Sequence, residues 1–162
     1  MATRSAIAIE TPRGLRAVYC HWDGYPAHHL PILQGRYGSA RKAAALIAPG
    51  DISCLRTRST WHSGQTLRDA HGEPVTDSAG FWRSEGDRDA QPLYFAERGE
   101  ADVAPRRFAT VDALADWADG CGCEHVYLFR SRAGWMHAPL SLGPDGSAVA
   151  VPVAPGCDPA QW

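Results

Sequence analysis

The residues of this chain best suited to chemistry fall in one stretch, Tyr19-Cys20-His21-Trp22-Asp23-Gly24-Tyr25-Pro26, followed at once by Ala27-His28-His29. Nowhere else do imidazole, carboxylate, indole and phenol crowd so closely. His21 and Asp23, with His28 or His29 beside them, have the makings of a general acid–base pair or a divalent-metal site. The same residues have a structural use: Asp23 caps a turn or helix, and His21 satisfies a backbone carbonyl. Trp22, Tyr25 and Tyr37 can stack on a base or ribose, where each stacked base contributes ~1–3 kcal/mol in single-strand binders. Trp22 can equally belong to the core.

Two further groups carry candidate chemistry. Arg98-Gly99-Glu100 follows a predicted strand, and an arginine there can grip phosphate bidentately while the glycine lets backbone approach. The alternative is a surface salt bridge of little worth. Cys121-Gly122-Cys123-Glu124-His125 invites zinc, but its cysteines are closer than the usual two-residue gap and no second ligand pair accompanies them. A loop before a central strand fits that run better. Neither a Gly-rich phosphate loop, nor a nucleophile elbow, nor His-Glu-x-x-His is present. The sequence therefore implies neither a metal nor a cofactor.

The elements that must hold these groups follow from period and punctuation. Ile7 and Ile9 alternate with alanines in one strand, Thr11-Pro12-Arg13-Gly14 turns the chain, and Leu15 to Trp22 is a second strand. The two make an antiparallel hairpin. Counting by two puts Val18, Cys20 and Trp22 on one face and Ala17, Tyr19 and His21 on the other. Leu30, Leu33 and Tyr37 recur at helical spacing, and Pro31 fits if it lies in the first turn, so this helix starts near His28 or His29. Ser39 caps a second helix through Ala48, stopped by Pro49-Gly50-Asp51, and Ile52 to Leu55 is a short extended piece.

Periodicity lapses from Arg56 to Gln91, where Trp61, Phe81 and Trp82 stand among glycines, serines and charges. Residues 57–91 read as an irregular insertion in the single domain 1–162. Leu93 to Ala96 is a strand. Thr110 caps a helix bearing Val111, Leu114 and Trp117, which Gly120 ends. Val126-Tyr127-Leu128-Phe129, apolar on both faces, is a central strand that turns at Arg130–Gly134 into Trp135-Met136-His137. Gly143-Pro144-Asp145-Gly146 is a further turn. Ala148 to Val153 adds an edge strand, which Pro152 bars from the centre, and 154–162 is a Pro-rich tail. The order predicts an α+β fold: a mainly antiparallel sheet with helices packed on one face.

A chain of 162 residues with net charge −2 can bury a core without staples, and it lacks the basic excess of a nucleic-acid coat. Cys20, Cys54, Cys121, Cys123 and Cys157 are an odd set without framework spacing, as in a reducing compartment. With no apolar run of membrane-spanning length and no signal-type core after Met1, the expectation is a cytoplasmic protein without membrane contact.

At Tyr19 to Pro26 the chain resembles a group of small uncharacterised proteins encoded by bacteriophages and prophages. Those proteins open with a hairpin ending in Tyr-Cys-His-Trp-Asp-Gly-Tyr-Pro and carry a helix closing in a tyrosine, here Tyr37. Their Gly-Asp-Ile/Leu-Ser segment is matched by Gly50-Asp51-Ile52-Ser53, and their Tyr-Leu-Phe strand before an aromatic by Tyr127-Leu128-Phe129 and Trp135. Where they have Arg-Asp-Arg-Gly-Glu, this chain reads Ala96-Glu97-Arg98-Gly99-Glu100, without the leading arginine. The first motif is long and specific; the others are short but correctly ordered. The resemblance covers both ends of the domain, skips the insertion, and implies a phage-type setting in which small proteins often counter host defences.

Residues and resemblance together lead to three expectations. The first is a binding protein for a small anionic, nucleotide-like ligand, sequestering a host immune signal, with His21, Trp22, Asp23, Tyr25, His28, Arg98 and Glu100 at the site. The second is a phosphodiesterase or nuclease using His21 and Asp23. The third is an inhibitor that binds a host protein through Trp61 and Trp82 of the insertion. Homo-oligomerisation is compatible with all three.

Overall fold

The computed structural model describes residues 2–55, 92–142 and 148–150. The predicted insertion, the turn at 143–146, Pro152 and the Pro-rich tail lie outside the described residues. β1 (Ser5–Thr11) and β2 (Gly14–Trp22) form the antiparallel hairpin expected from alternation. Its turn closes through Thr11 Oγ1, which donates to the Gly14 carbonyl at 2.8 Å and accepts from the Arg13 amide at 3.3 Å.

α1 (Pro26–Arg36) begins two residues before the predicted His28, with Pro26 in the first turn, where its missing N–H costs nothing. Pro31 consequently stands inside the helix rather than in that turn. The carbonyl it leaves without a donor belongs to Ala27, an exposed residue within reach of water. α2 (Ala40–Ile47) is capped by Ser39, whose side chain accepts from the Lys42 amide. β3 (Ile52–Cys54) follows, then β4 (Leu93–Tyr94), which runs into a 3-10 turn over Phe95–Arg98. The predicted strand to Ala96 is thus cut short, and Gly99 closes the turn at φ +81°.

β5 (Arg106–Phe108) leads to α3 (Val111–Gly120), capped by Thr110 as predicted. β6 (His125–Arg130), β7 (Gly134–Leu142) and β8 (Ala148–Ala150) complete the described chain. The sheet runs β4-β3-β2-β1-β6-β7-β8, with β5 beside the first half of β2. The pairings are mainly antiparallel, but β6 lies parallel to β1 and β3 parallel to β2. The N-terminal hairpin therefore sits in mid-sheet between two parallel neighbours.

Alternation divides the core. Ile7, Ile9, Val18, Cys20, Tyr127 and Phe129 meet Leu33 of α1 and Ala43, Leu46 and Ile47 of α2 on one face. Ala6, Ala8, Ala17, Val126 and Leu128 meet Leu114 and Ala118 of α3 on the other. The class is the α+β fold expected, with one correction: the helices do not share a face. β6 is apolar on both sides, as a strand covered on both faces must be, and the small alanines of β1 and β2 give α3 its close seat. Among the described residues no helix is long and apolar enough to cross a membrane.

Candidate functional site

The chemistry-bearing stretch turns a corner between β2 and α1, and two buried rings hold it there. The Gly24 amide donates to the Thr3 carbonyl at 2.8 Å. A Cβ at Gly24 would stand 2.8 Å from Ser5 Cβ and 2.9 Å from the Thr3 carbonyl oxygen, so only glycine lets the corner lie so close to β1. Asp23 takes φ +58°, and its carbonyl accepts from His29 Nδ1 at 2.6 Å. The Gly24 carbonyl accepts from Tyr127 Oη at 2.7 Å, and the His29 ring stacks on Tyr127 at 5.2 Å. Because a carbonyl only accepts, His29 carries its proton on Nδ1, which leaves Nε2 to face Ser5 Oγ at 3.5 Å. Burial holds His29 down at about 3, so the ring stays neutral at pH 7.

The other side of the corner is built on hairpin register. Ser5 pairs with Cys20, which carries Arg4 opposite His21. Arg4 hydrogen-bonds the Tyr19 side chain, and Tyr19 Oη lies 2.7 Å from His21 Nδ1. A guanidinium can only donate, so the phenol oxygen accepts from Arg4 and its own O–H goes to His21 Nδ1. Burial raises the Tyr19 phenol to about 12, which keeps that proton in place. His21 is then the tautomer that presents Nε2–H. Its own pKa is lowered by burial first and by the Arg4 and Arg98 charges next, with Glu100 opposing, so it too is neutral at pH 7.

Aromatic contacts gather the remaining groups. His21 meets Trp22 edge-on at 4.8 Å and Phe95 edge-on at 6.3 Å, while Phe95 stacks on Tyr19 at 6.4 Å. The Arg98 guanidinium lies 5.6 Å from the Phe95 ring centroid. It donates to buried Ser53 Oγ at 3.3 Å and stands 3.9 Å from Glu100. Trp22 and Tyr25, at 39% and 43% exposure, are the large apolar side chains left open to solvent among the described residues.

Of the residues singled out in the sequence, His21, Trp22, Arg98 and Glu100 come together. Tyr25 and His28 do not join them: they pack against each other at 5.8 Å, beside His29 on the α1 side. Asp23 is the pivot between the two groups and contributes its backbone carbonyl. Arg4, Ser53 and Phe95 were missed, and Tyr19, named in the stretch, was given no role of its own. Arg4 was within reach, because counting back from the Thr11–Gly14 turn pairs position 4 with position 21. Ser53 and Phe95 gave no such signal, since their placement follows from how β3 and the 3-10 turn meet.

Asp51 serves the frame. It accepts from the Tyr19 amide at 2.8 Å and from Arg106 at 2.7 and 2.9 Å, with the Arg106 guanidinium over Trp117. Of the Cys121–His125 run, Cys123 is buried, and His125 Nδ1 meets His137 Nε2 at 3.0 Å. Among the described residues no three His, Cys, Asp or Glu side chains gather as a metal site.

Compared with protein-family models, with curated proteins and with solved structures, the chain has no match.

Proposed function

We propose that the corner binds a small anionic, nucleotide-like ligand and retains it unchanged, as a phage-type protein would when sequestering a host immune signal. The observation that carries this reading is Trp22, exposed and braced edge-on by His21 at a corner flanked by the guanidiniums of Arg4 and Arg98. A planar base would stack on the indole, and an anionic group would meet the two arginines. His21 would offer Nε2–H to a ligand acceptor, because Nδ1 is taken up by Tyr19. Glu100, loosely paired with Arg98 at the surface, tempers the positive field and would give way to a stronger anion.

The hydrolase reading is favoured by His21 being neutral at pH 7, but its one lone pair, on Nδ1, accepts from Tyr19, so the ring would have to give up that bond to serve as a general base. Against it, Asp23 contributes a backbone carbonyl to His29, so the two expected partners do not act as a pair. The inhibitor reading rests on Trp61 and Trp82, which lie outside the described residues.

The test is to incubate the protein with a mixed nucleotide pool, release what it retains by heat, and identify it by mass. Retention of an intact compound, weakened by ~1–3 kcal/mol in Trp22→Ala, fits the binder. Cleaved product from the wild type but intact compound from His21→Ala assigns hydrolysis instead. Retention of nothing removes both readings.

A further inference from the structure

Arg16 and Arg107 stand directly opposite one another where β2 pairs with β5. Residues so opposed share a face with Cβ atoms ~4.5–5.5 Å apart, and like charges there are destabilising. The flanking pairs fix the face. Leu15 with Phe108 and Ala17 with Arg106 point toward α3, so Arg16 and Arg107 point the other way, to the face of α1 and α2. Ile9, the partner of Arg16 on β1, belongs to that second face.

Each described segment that frames the two arginines is free of carboxylate. The turn reads Thr11-Pro12-Arg13-Gly14, α2 reads Ala-Arg-Lys-Ala-Ala-Ala-Leu-Ile before Ala48-Pro49-Gly50, and β5 lies between Val103-Ala104-Pro105 and Ala109-Thr110. Glu10 turns to the opposite face, where it lies 3.6 Å from Arg130, and Asp51 is held by Arg106. Among the described residues no carboxylate pairs with Arg16 or Arg107. Charge on a free edge deters strand addition, and Arg107 on β5 would suffice for that. It does not account for Arg16, half-buried on the inner strand.

We propose that Arg16 and Arg107 form a second anion clamp, toward the opposite end of β2 from the Trp22 corner, that takes a phosphate group. Two guanidiniums at this spacing offer parallel N–H forks that one tetrahedral anion bridges, and its charge offsets the repulsion between them. Arg13, exposed on the turn beside them, extends the positive field outward. The clamp does not depend on the corner being a ligand site.

The experiment is a 15N NMR titration with inorganic phosphate, and in parallel with a nucleoside 5′-monophosphate, at constant ionic strength. It is run in Arg98→Ala to weaken the corner, and only shifts localised at Arg16, Arg107 and their neighbours are counted. Saturable shifts at Arg16, Arg107 and their neighbours are expected, at least tenfold weaker in Arg16→Gln and in Arg107→Gln. Tighter binding of the nucleotide assigns a nucleotide's phosphate, and equal binding assigns the free ion. Arg107→Glu places a carboxylate opposite Arg16, so it should raise the melting temperature and abolish the phosphate response. The proposal is overturned by shifts no larger than chloride gives, by equal shifts in the Arg16→Gln/Arg107→Gln variant, or by an Arg107→Glu protein that still binds phosphate.

Discussion

Acid should destabilise this protein well before its carboxylates are protonated, because its buried histidines are held neutral. His29 is fully buried and His137 nearly so. Burial holds their pKa values at about 3 and about 4, against 6.5 for the free side chain, with the neighbouring His28 and His125 adding to the effect. Between the folded and unfolded values the unfolded chain binds more protons, so stability rises with pH. The contribution is fully present above 6.5 and is lost as pH falls toward the folded values. At about 1.36 kcal/mol per unit, going from pH 7.5 to pH 5 removes about 2 kcal/mol for each ring, about 4 kcal/mol together. His125 and His21, whose pKa values are also lowered, act in the same direction. A typical domain has only about 5–15 kcal/mol in total, so the loss should be plain in urea unfolding at pH 7.5, 6.5, 5.5 and 5. His137→Phe keeps a ring against Tyr127 and should remove about half of the pH dependence. A urea midpoint that stays constant from pH 7.5 to 5, or a His137→Phe protein that keeps the whole slope, would refute the reasoning.

Three further outcomes are expected. Tyr127→Phe strips the buried donor from the Gly24 carbonyl and should cost ~1–3 kcal/mol in the same unfolding assay. Asp51→Ala leaves the Tyr19 amide and Arg106 without their shared carboxylate; a loss of about 3 kcal/mol or more is expected, and a loss below 1 would deny Asp51 its framing role. Side-chain 15N spectra at pH 7 should show His21 protonated at Nε2, and Tyr19→Phe should shift that ring toward a tautomer mixture. An Nδ1–H ring in the wild type would contradict the Arg4–Tyr19–His21 chain.

Local rules read much of this molecule correctly. The hairpin, the Ser39 and Thr110 caps and the central β6 strand follow from alternation, capping chemistry and two-sided hydrophobicity. What local rules missed was set at long range. Pro31 argued for a later start to α1, but Pro26 took the first turn, and exposure at Ala27 lets the helix carry the second proline. The side taken by α3 depends on which strand face has alanines, and that becomes visible only once β1, β2 and β6 are neighbours. At the candidate site, His21, Trp22 and Arg98 were legible as residue types, whereas the departure of Tyr25 and His28 toward α1 was not. A one-residue change of direction at Asp23, through positive φ, decides it.

The pairing of β1 with β6 also orders events in time. Ser5 meets His125 across 120 positions, and the corner carbonyl of Gly24 waits for a hydroxyl 103 residues downstream. On a ribosome the hairpin can form early, but it emerges with both edges bare, and the β1 edge and the corner stay undocked until Tyr127 has left the exit tunnel. Contacts this distant in sequence slow folding. During that interval Trp22 and Tyr25 sit on a partly formed sheet edge, open to chaperones, proteases and other nascent chains. Binding at the corner would then have to begin after synthesis is nearly done, so ligand present during translation should not speed its folding.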